Sequence, residues 1–256
     1  MTIENIDNEH FAAWWSYWGF LKEVEDPDVG VTRIYGFENE TTHDRPGYGE
    51  VPDGGATYGF VMQGNATVSP NSADEEYTIN EGQFFHFPDG LTVYPGEESR
   101  VVVTQKVGFR GQTLIGGPIE ELGRLKYIDG CSDTLLVCPP LLGDPCFNHL
   151  HFPPEIDQTQ HNHPSNRSGG IARGRGLCVT PYGDTPLVPG LIFHIPWGGL
   201  HLFRTSFYDE LDVIAYHPDS DWGPTDEEHP MVNRTWVDGE KIDNTTGVHT
   251  QAAVVR

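Results

Sequence analysis

The sequence predicts an all-β chain that folds into two tandem barrels preceded by a short N-terminal helix. Glycine and proline are abundant, at 30 and 20 of 256 residues, and both residue types punctuate turns between short strands. From residue 30 onward, short runs rich in β-branched and aromatic residues recur, such as ATYGFVMQG, QFFHF and RVVVTQKVGF. Such runs indicate the strands of a sandwich or barrel.

The helix is predicted over residues 8–24, NEHFAAWWSYWGFLKEV. Its aromatic residues Phe11, Trp14, Trp15 and Trp18 are spaced by three and four, which would give one apolar face. We expect this face to pack across a barrel or a subunit boundary. An aromatic platform for a substrate is the alternative.

An internal repeat indicates two barrels rather than one. The segments GQFFHFPDGLTV, from Gly82, and GLIFHIPWGGLH, from Gly190, are identical at five matched positions 108 residues apart. Upstream, TYGFVMQGNATV and SGGIARGRGLCV match at an offset of 111. Two similar offsets indicate a duplicated unit. We therefore predict an N-terminal helical segment at 1–29, a first barrel at 30–112, a second barrel at 113–218 and a C-terminal extension at 219–256.

The chain is strongly acidic, which limits its partners. It has 15 lysine and arginine residues against 38 aspartate and glutamate residues, a net charge of −23. Such a surface repels nucleic acid and anionic membranes, so neither is an expected partner. No run approaches the roughly 18 apolar residues of a membrane span, and no signal peptide is recognisable. We therefore predict a cytoplasmic protein, with free thiols at Cys131, Cys138, Cys146 and Cys178.

Three histidines are spaced as ligands of one divalent metal. His161 and His163 lie two residues apart in QTQHNHPSNRSGG, and side chains at that spacing share one face of a strand. His201 follows the segment PGLIFHIPWGGL and would begin another strand. We predict that these three imidazoles bind a metal inside the second barrel, where the protein performs its chemistry.

These segments resemble the two motifs of cupin proteins, G-x5-H-x-H-x3,4-E-x6-G and G-x5-P-x-G-x2-H-x3-N. The second motif is matched at Gly190, Pro196, Gly198 and His201, with Thr205 where asparagine is usual, and the first at His161, His163 and Gly174. The resemblance covers residues 145–218 well and 50–108 more weakly. It implies a bicupin made of two double-stranded β-helix (jelly-roll) barrels.

Two departures from the cupin pattern bear on the metal. Arg167 or Ser168 stands where the acidic ligand is expected, so the site is similar to the three-histidine iron of thiol dioxygenases and gentisate-type dioxygenases. The resemblance implies Fe(II), with Mn, Ni or Zn as alternatives. In the first barrel Val51, Asp53 and Val93 occupy the three ligand positions. That barrel is therefore expected to bind no metal.

Further residues are candidates for contact with the substrate. Arg167 could clamp a carboxylate with its bidentate guanidinium, and the alternative is a surface arginine in a hairpin. His149 and His151 could contact the substrate or act behind the ligands, and the alternative is a structural role. Tyr216, with His217, is a candidate acid–base group. Gln158 is a weaker outer-shell candidate, whereas His86 and His194, matched between the repeats, are expected to be packing residues.

The sequence leaves three functions open. The first is a mononuclear non-haem Fe(II) oxygenase that acts with dioxygen on a small anionic metabolite, without 2-oxoglutarate. The second is a non-redox metal-dependent isomerase, lyase or hydrolase, with Tyr216, His149 or His151 as base. The third is a cupin that only binds a small ligand. Cupins are often dimers, and the aromatic N-terminal segment could join two subunits in a homodimer.

Overall fold

The computed structural model describes residues 5–39, 47–221 and 235–241. Within these ranges the only helical element is a 3-10 turn, Ile128–Gly130. The strands before it are β1 (Ile6–Asp7), β2 (Ala12–Trp14), β3 (Trp18–Asp26), β4 (Gly30–Asn39), β5 (Gly49–Val51), β6 (Gly55–Gln63), β7 (Asn65–Pro70), β8 (Tyr77–Asn80), β9 (Phe84–Phe87), β10 (Leu91–Pro95), β11 (Ser99–Val107), β12 (Leu114–Gly116) and β13 (Leu125–Lys126). The strands after it are β14 (Ser132–Val137), β15 (Cys146–Phe152), β16 (Arg167–Gly174), β17 (Gly176–Thr180), β18 (Gly183–Leu187), β19 (Ile192–Ile195), β20 (Leu202–Arg204), β21 (Leu211–His217), β22 (Trp236–Val237) and β23 (Glu240–Lys241).

The described strands form two barrels of antiparallel sheets, so the predicted all-β fold is confirmed. One barrel combines the sheet β12-β9-β6-β11-β4-β3 with the sheet β5-β10-β7-β8. The other combines the sheet β1-β2-β19-β16-β21-β15-β14-β13 with the sheet β18-β17-β20. In the described part of the chain no helix has the length and hydropathy needed to cross a bilayer.

Contacts divide the chain into two compact units. The larger comprises residues 1–138 and 145–219 and contains both barrels. The smaller comprises residues 139–144 and 220–256, and its described strands β22 and β23 pair as a hairpin. The predicted extension at 219–256 therefore lies largely outside the described residues.

The interior of the first barrel is filled by apolar side chains. Along β10 the burial alternates strictly, as expected for a strand with one inward face. Val51 and Val93, at positions matched to His161 and His201 of the second barrel, belong to this core and are fully buried. Asp53, at the position matched to His163, is exposed.

A second core joins the two barrels. Tyr58, Phe60 and Met62 of β6 pack in one cluster with Ile214 and Tyr216 of β21. Because β6 is covered by its own barrel on one side and by the neighbouring barrel on the other, eight of its nine residues are buried. Such strands read as nearly continuous apolar runs rather than as an alternating pattern.

The predicted N-terminal helix is wrong, because the segment forms β2 and β3. Phe11 and Ala13 enter the core of the second barrel, whereas Ala12 and Trp14 enter the core between the barrels. Burial on both sides at a period of two requires extended backbone. The spacing of the aromatic residues imitated a helical face because both faces of this strand are covered.

Candidate metal centre

The structure brings His161, His163 and His201 together. His161 and His201 pair as a two-residue antiparallel bridge, with reciprocal backbone hydrogen bonds of 2.9 and 3.0 Å. The backbone N–H of Gly198 donates to the carbonyl of His163 at 3.0 Å. One ring nitrogen from each histidine lies within 4.8 Å of the others. This spacing suits three ligands that surround one ion.

The hydrogen bonds of two rings fix which nitrogen faces the centre. His161 Nδ1 lies 2.7 Å from the carbonyl oxygen of Thr159, and His201 Nδ1 lies 2.9 Å from that of Gly199. A carbonyl oxygen only accepts, so Nδ1 carries the proton and Nε2 keeps its lone pair. Carbonyl partners of this kind orient metal-binding histidines.

Burial keeps His163 and His201 in the neutral form that metals bind. It lowers the pKa of His163 to about 3, with a smaller effect from the Arg167 guanidinium. Burial also lowers the pKa of His201 to about 4. At neutral pH neither of these two rings carries a proton that a metal would have to displace. Three imidazoles, with no carboxylate beside them in the cluster that the described residues form, fit a divalent ion such as Fe(II), Mn, Ni or Zn.

The histidines open into a narrow cavity of about 50 Å³. A water molecule needs about 10–15 Å³ by this measure, so about three to five would fill the cavity. Most of the wall is apolar. It consists of Leu150, Phe152, Phe193, Ile195, Phe203, Val213 and Ala215, interrupted by the polar side chains Tyr127, Asp133, Gln158, Arg167 and His217.

Arg167 begins β16 and lines the cavity with the histidines. Its Nη1 donates to Ser165 O at 3.2 Å, Ser165 Oγ at 2.6 Å and Asn166 O at 2.8 Å. The Asp219 carboxylate is 3.9 Å away. Burial lowers the pKa of the guanidinium. Its Nε is buried and has no acceptor among the described residues, so donor capacity is left for a ligand.

A buried network from the first barrel supports this arginine. The carboxylate of Asp26, at the end of β3, accepts from the Asn166 backbone N–H at 3.1 Å and from the Asn166 side-chain amide. The Ser165 hydroxyl donates to Asp219. The two residues that hold Arg167 are thus each fixed by a carboxylate, and one of these carboxylates comes from the first barrel.

Asp133 and Tyr127 also line the cavity, and the sequence analysis missed both. Burial raises the pKa of each side chain. Both lie in the region that reads as loops between the barrels, where no motif marks them. The only indication in the sequence was the acidic residue Asp133 itself, in the short run SDTLLV that forms β14.

The candidates Gln158 and His217 line the cavity, whereas His149, His151 and Tyr216 do not. Leu150 and Phe152 of β15 line it, so His149 and His151 point to the opposite face of that strand. There both rings hydrogen-bond Asp212 Oδ1, at 2.8 and 2.9 Å. Tyr216 alternates in the same way with cavity-lining neighbours on β21, and lies 5.0 Å from the Tyr58 ring in the core between the barrels.

His86 and His194 are both buried within the sheets. Nδ1 of His86 lies 2.9 Å from the Thr57 carbonyl, and its Nε2 accepts from the Gln112 N–H at 3.0 Å. Neither ring nitrogen of His194 has a partner among the described residues. Burial lowers the pKa of His86 to about 4 and of His194 to about 3.

Acid should therefore destabilise the fold through His194. In the unfolded chain this histidine binds a proton below about pH 6.5, but in the fold it stays neutral until about pH 3. Stability is thus complete above pH 6.5 and falls as the pH drops below it. At pH 5 this effect of His194 lowers the free energy of unfolding by about 2 kcal/mol. We expect His194→Leu to remove most of this loss of stability, as measured by urea unfolding at pH 5 and pH 7.5. The same pH dependence of stability in the wild type and in the variant would contradict this prediction.

A scan against protein families and a search of curated proteins gave no match. Solved structures do match. A candidate glyoxylate-induced protein from Pseudomonas aeruginosa is 11% identical, with 88% of this chain and 94% of that chain covered and a TM-score of 0.52. A candidate dioxygenase from Nostoc punctiforme is 14% identical, with 85% of each chain covered and a TM-score of 0.50. A cupin 2 conserved barrel domain protein from Leptotrichia buccalis is 10% identical, with 83% and 86% covered and a TM-score of 0.47.

The chain has the two-barrel β fold of the Pseudomonas aeruginosa and Nostoc punctiforme structures, as its sequence predicted. At these identities the likeness concerns the fold, and chemistry must be argued from the site.

Proposed function

We propose that this protein is a mononuclear non-haem Fe(II) cupin oxygenase that uses dioxygen to oxidise a small anionic metabolite without 2-oxoglutarate. One observation carries the proposal. Three imidazole nitrogens lie within 4.8 Å of one another at the wall of a narrow, mostly apolar cavity.

The ligand set favours iron in this role. His161, His163 and His201 would hold it, and no carboxylate occurs with them in the cluster. The 2-oxoglutarate enzymes resemble a set of two histidines and one carboxylate instead. When bound, Fe(II) would supply redox chemistry and open positions for a substrate and dioxygen.

Arg167 would bind the anionic end of the substrate. Its guanidinium is buried against the cavity, and its Nε–H has no acceptor among the described residues. A carboxylate can accept from Nε–H and a terminal N–H together. The apolar walls would exclude water and strengthen that interaction.

Metal analysis and oxygen uptake test the proposal together. Protein purified without oxygen should contain close to one iron per chain. It should consume oxygen only when one of a panel of small acids and thiols is added. Uptake should be independent of added 2-oxoglutarate. Bound zinc with no uptake for any compound, before or after exchange for iron, would refute the oxygenase.

A non-redox lyase or isomerase is the second candidate, and Asp133 favours it. Its carboxyl lines the cavity, and burial raises its pKa toward the range useful for moving a proton. If the protein is a lyase or isomerase, zinc- or manganese-loaded protein without oxygen should convert one of the small acids or thiols to a product.

A further inference from the structure

One carboxylate oxygen of Asp133 has a hydrogen-bond partner, and the other has none among the described residues. Its Oδ2 accepts a hydrogen bond from Asn148 Nδ2 at 2.8 Å. Its Oδ1 is enclosed by protein and has no partner among the described residues. Buried acceptors are nearly always paired, so an unpaired one at a cavity wall indicates a missing donor. Asn148 holds the carboxyl in place while the second oxygen stays available.

Among the polar side chains that line the cavity, two have buried atoms with complementary unmet hydrogen bonds. Arg167 has an unused N–H donor, and Asp133 has an unused acceptor. The other polar lining residues, Tyr127, Gln158 and His217, have no such buried unpaired atom among the described residues. A ligand that satisfies both must carry an acceptor at one end and a donor at the other.

We propose that Asp133 binds a hydrogen-bond donor of the substrate, which is then a small carboxylic acid that also bears a hydroxyl or amino group. This inference rests on the proposed function, in which Arg167 takes the carboxylate. The narrow cavity restricts the acid to a few carbons.

Three acids of equal carbon number provide the probes: propionate, 3-hydroxypropionate and 3-aminopropionate. Their affinities are measured by calorimetry, first on protein freed of metal by a chelator and then on zinc-loaded protein. The wild type should bind 3-hydroxypropionate or 3-aminopropionate at least about tenfold more tightly than propionate. A larger gain for the amine indicates an ionised Asp133.

Asp133→Asn keeps the shape of the side chain and an oxygen for Asn148. It should reduce the preference over propionate to less than about threefold. Asp74→Asn, an exposed change in the first barrel, removes the same charge from a residue that does not line the cavity and should keep the full preference. Thermal unfolding of both variants checks that they are folded.

The comparison among probes in the wild type needs no variant, so a poorly folded Asp133→Asn does not remove the test. Equal affinity for the three acids, no binding of any of them, or a full preference kept in Asp133→Asn would each overturn the inference. Because the first measurement uses metal-free protein, absence of iron or of oxygen uptake would defeat the proposed function and leave this result standing.

Discussion

His201→Ala is expected to abolish stoichiometric metal binding. His201 is the most buried of the three ligands, and its ring is held by the Gly199 carbonyl. Two imidazoles alone bind a divalent ion much more weakly, so we expect at least a 100-fold loss of affinity. Metal content after desalting, and the rise in melting temperature on adding Fe(II) or Zn, measure the effect. The wild type should gain roughly 3 kcal/mol at 100 times its Kd, and the variant almost nothing.

His86→Gln is the matched control, since it changes a buried histidine in the barrel whose interior is apolar. It should lower stability, because the Gln112 N–H loses its ring acceptor, but should leave the metal content per folded chain unchanged. Metal retained by His201→Ala, or lost from His86→Gln, would place the metal elsewhere.

The sequence predicted that the three histidines lie together, because the information for this is local. Two histidines at a spacing of two share a strand face, and the turn at Gly198 sets the position of His201. The different residues of the first barrel could also be recognised, since valines stand at two of the three matched positions. These features depend on strand parity and turn chemistry, which the sequence carries directly.

The rest of the cavity depends on pairing that no local pattern contains. Strand parity shows that His149 and His151 share a face, but not which face, because both faces of β15 carry buried side chains. The same ambiguity applies to Tyr216. Asp133 reaches the cavity because β14 pairs with β15, and Tyr127 follows β13, which pairs with β14. Asn166, which accepts from Arg167, is itself held by Asp26, 140 residues earlier in the chain.

The N-terminal error has a related cause. Aromatic residues at spacings of three and four suggest one helical face, whereas burial between two barrels permits large apolar residues on both faces of a strand. The segment then divides: β2 pairs with β19 of the second barrel, and β3 pairs with β4 of the first. Burial on both faces in this two-barrel fold therefore gives the N-terminal strands a residue spacing that imitates a helix.

Arg167→Gln is expected to weaken substrate binding by about 10- to 100-fold while the metal content stays unchanged. A hydrogen bond to a charged group contributes about 1.5–3 kcal/mol, and glutamine offers neither the charge nor the paired donors of the guanidinium. With the acid that best supports oxygen uptake, the loss should fall mainly on KM if Arg167 only binds, and on kcat if it also orients the reacting end. Arg167→Lys should recover little, because its single ammonium cannot replace the fork.

Arg175→Gln is the control, since it removes the same charge from an exposed turn next to β16. This control distinguishes the loss of one specific contact from the general effect of removing a positive charge, in a protein whose net charge is −23. Unchanged KM and kcat in Arg167→Gln would show that Asp219, Ser165 and Asn166 hold this arginine for stability alone. A loss in both variants would indicate long-range attraction of the anion, which 0.5 M salt should then remove from the wild type as well. Only a loss confined to Arg167→Gln, and resistant to salt, agrees with a buried contact between guanidinium and substrate.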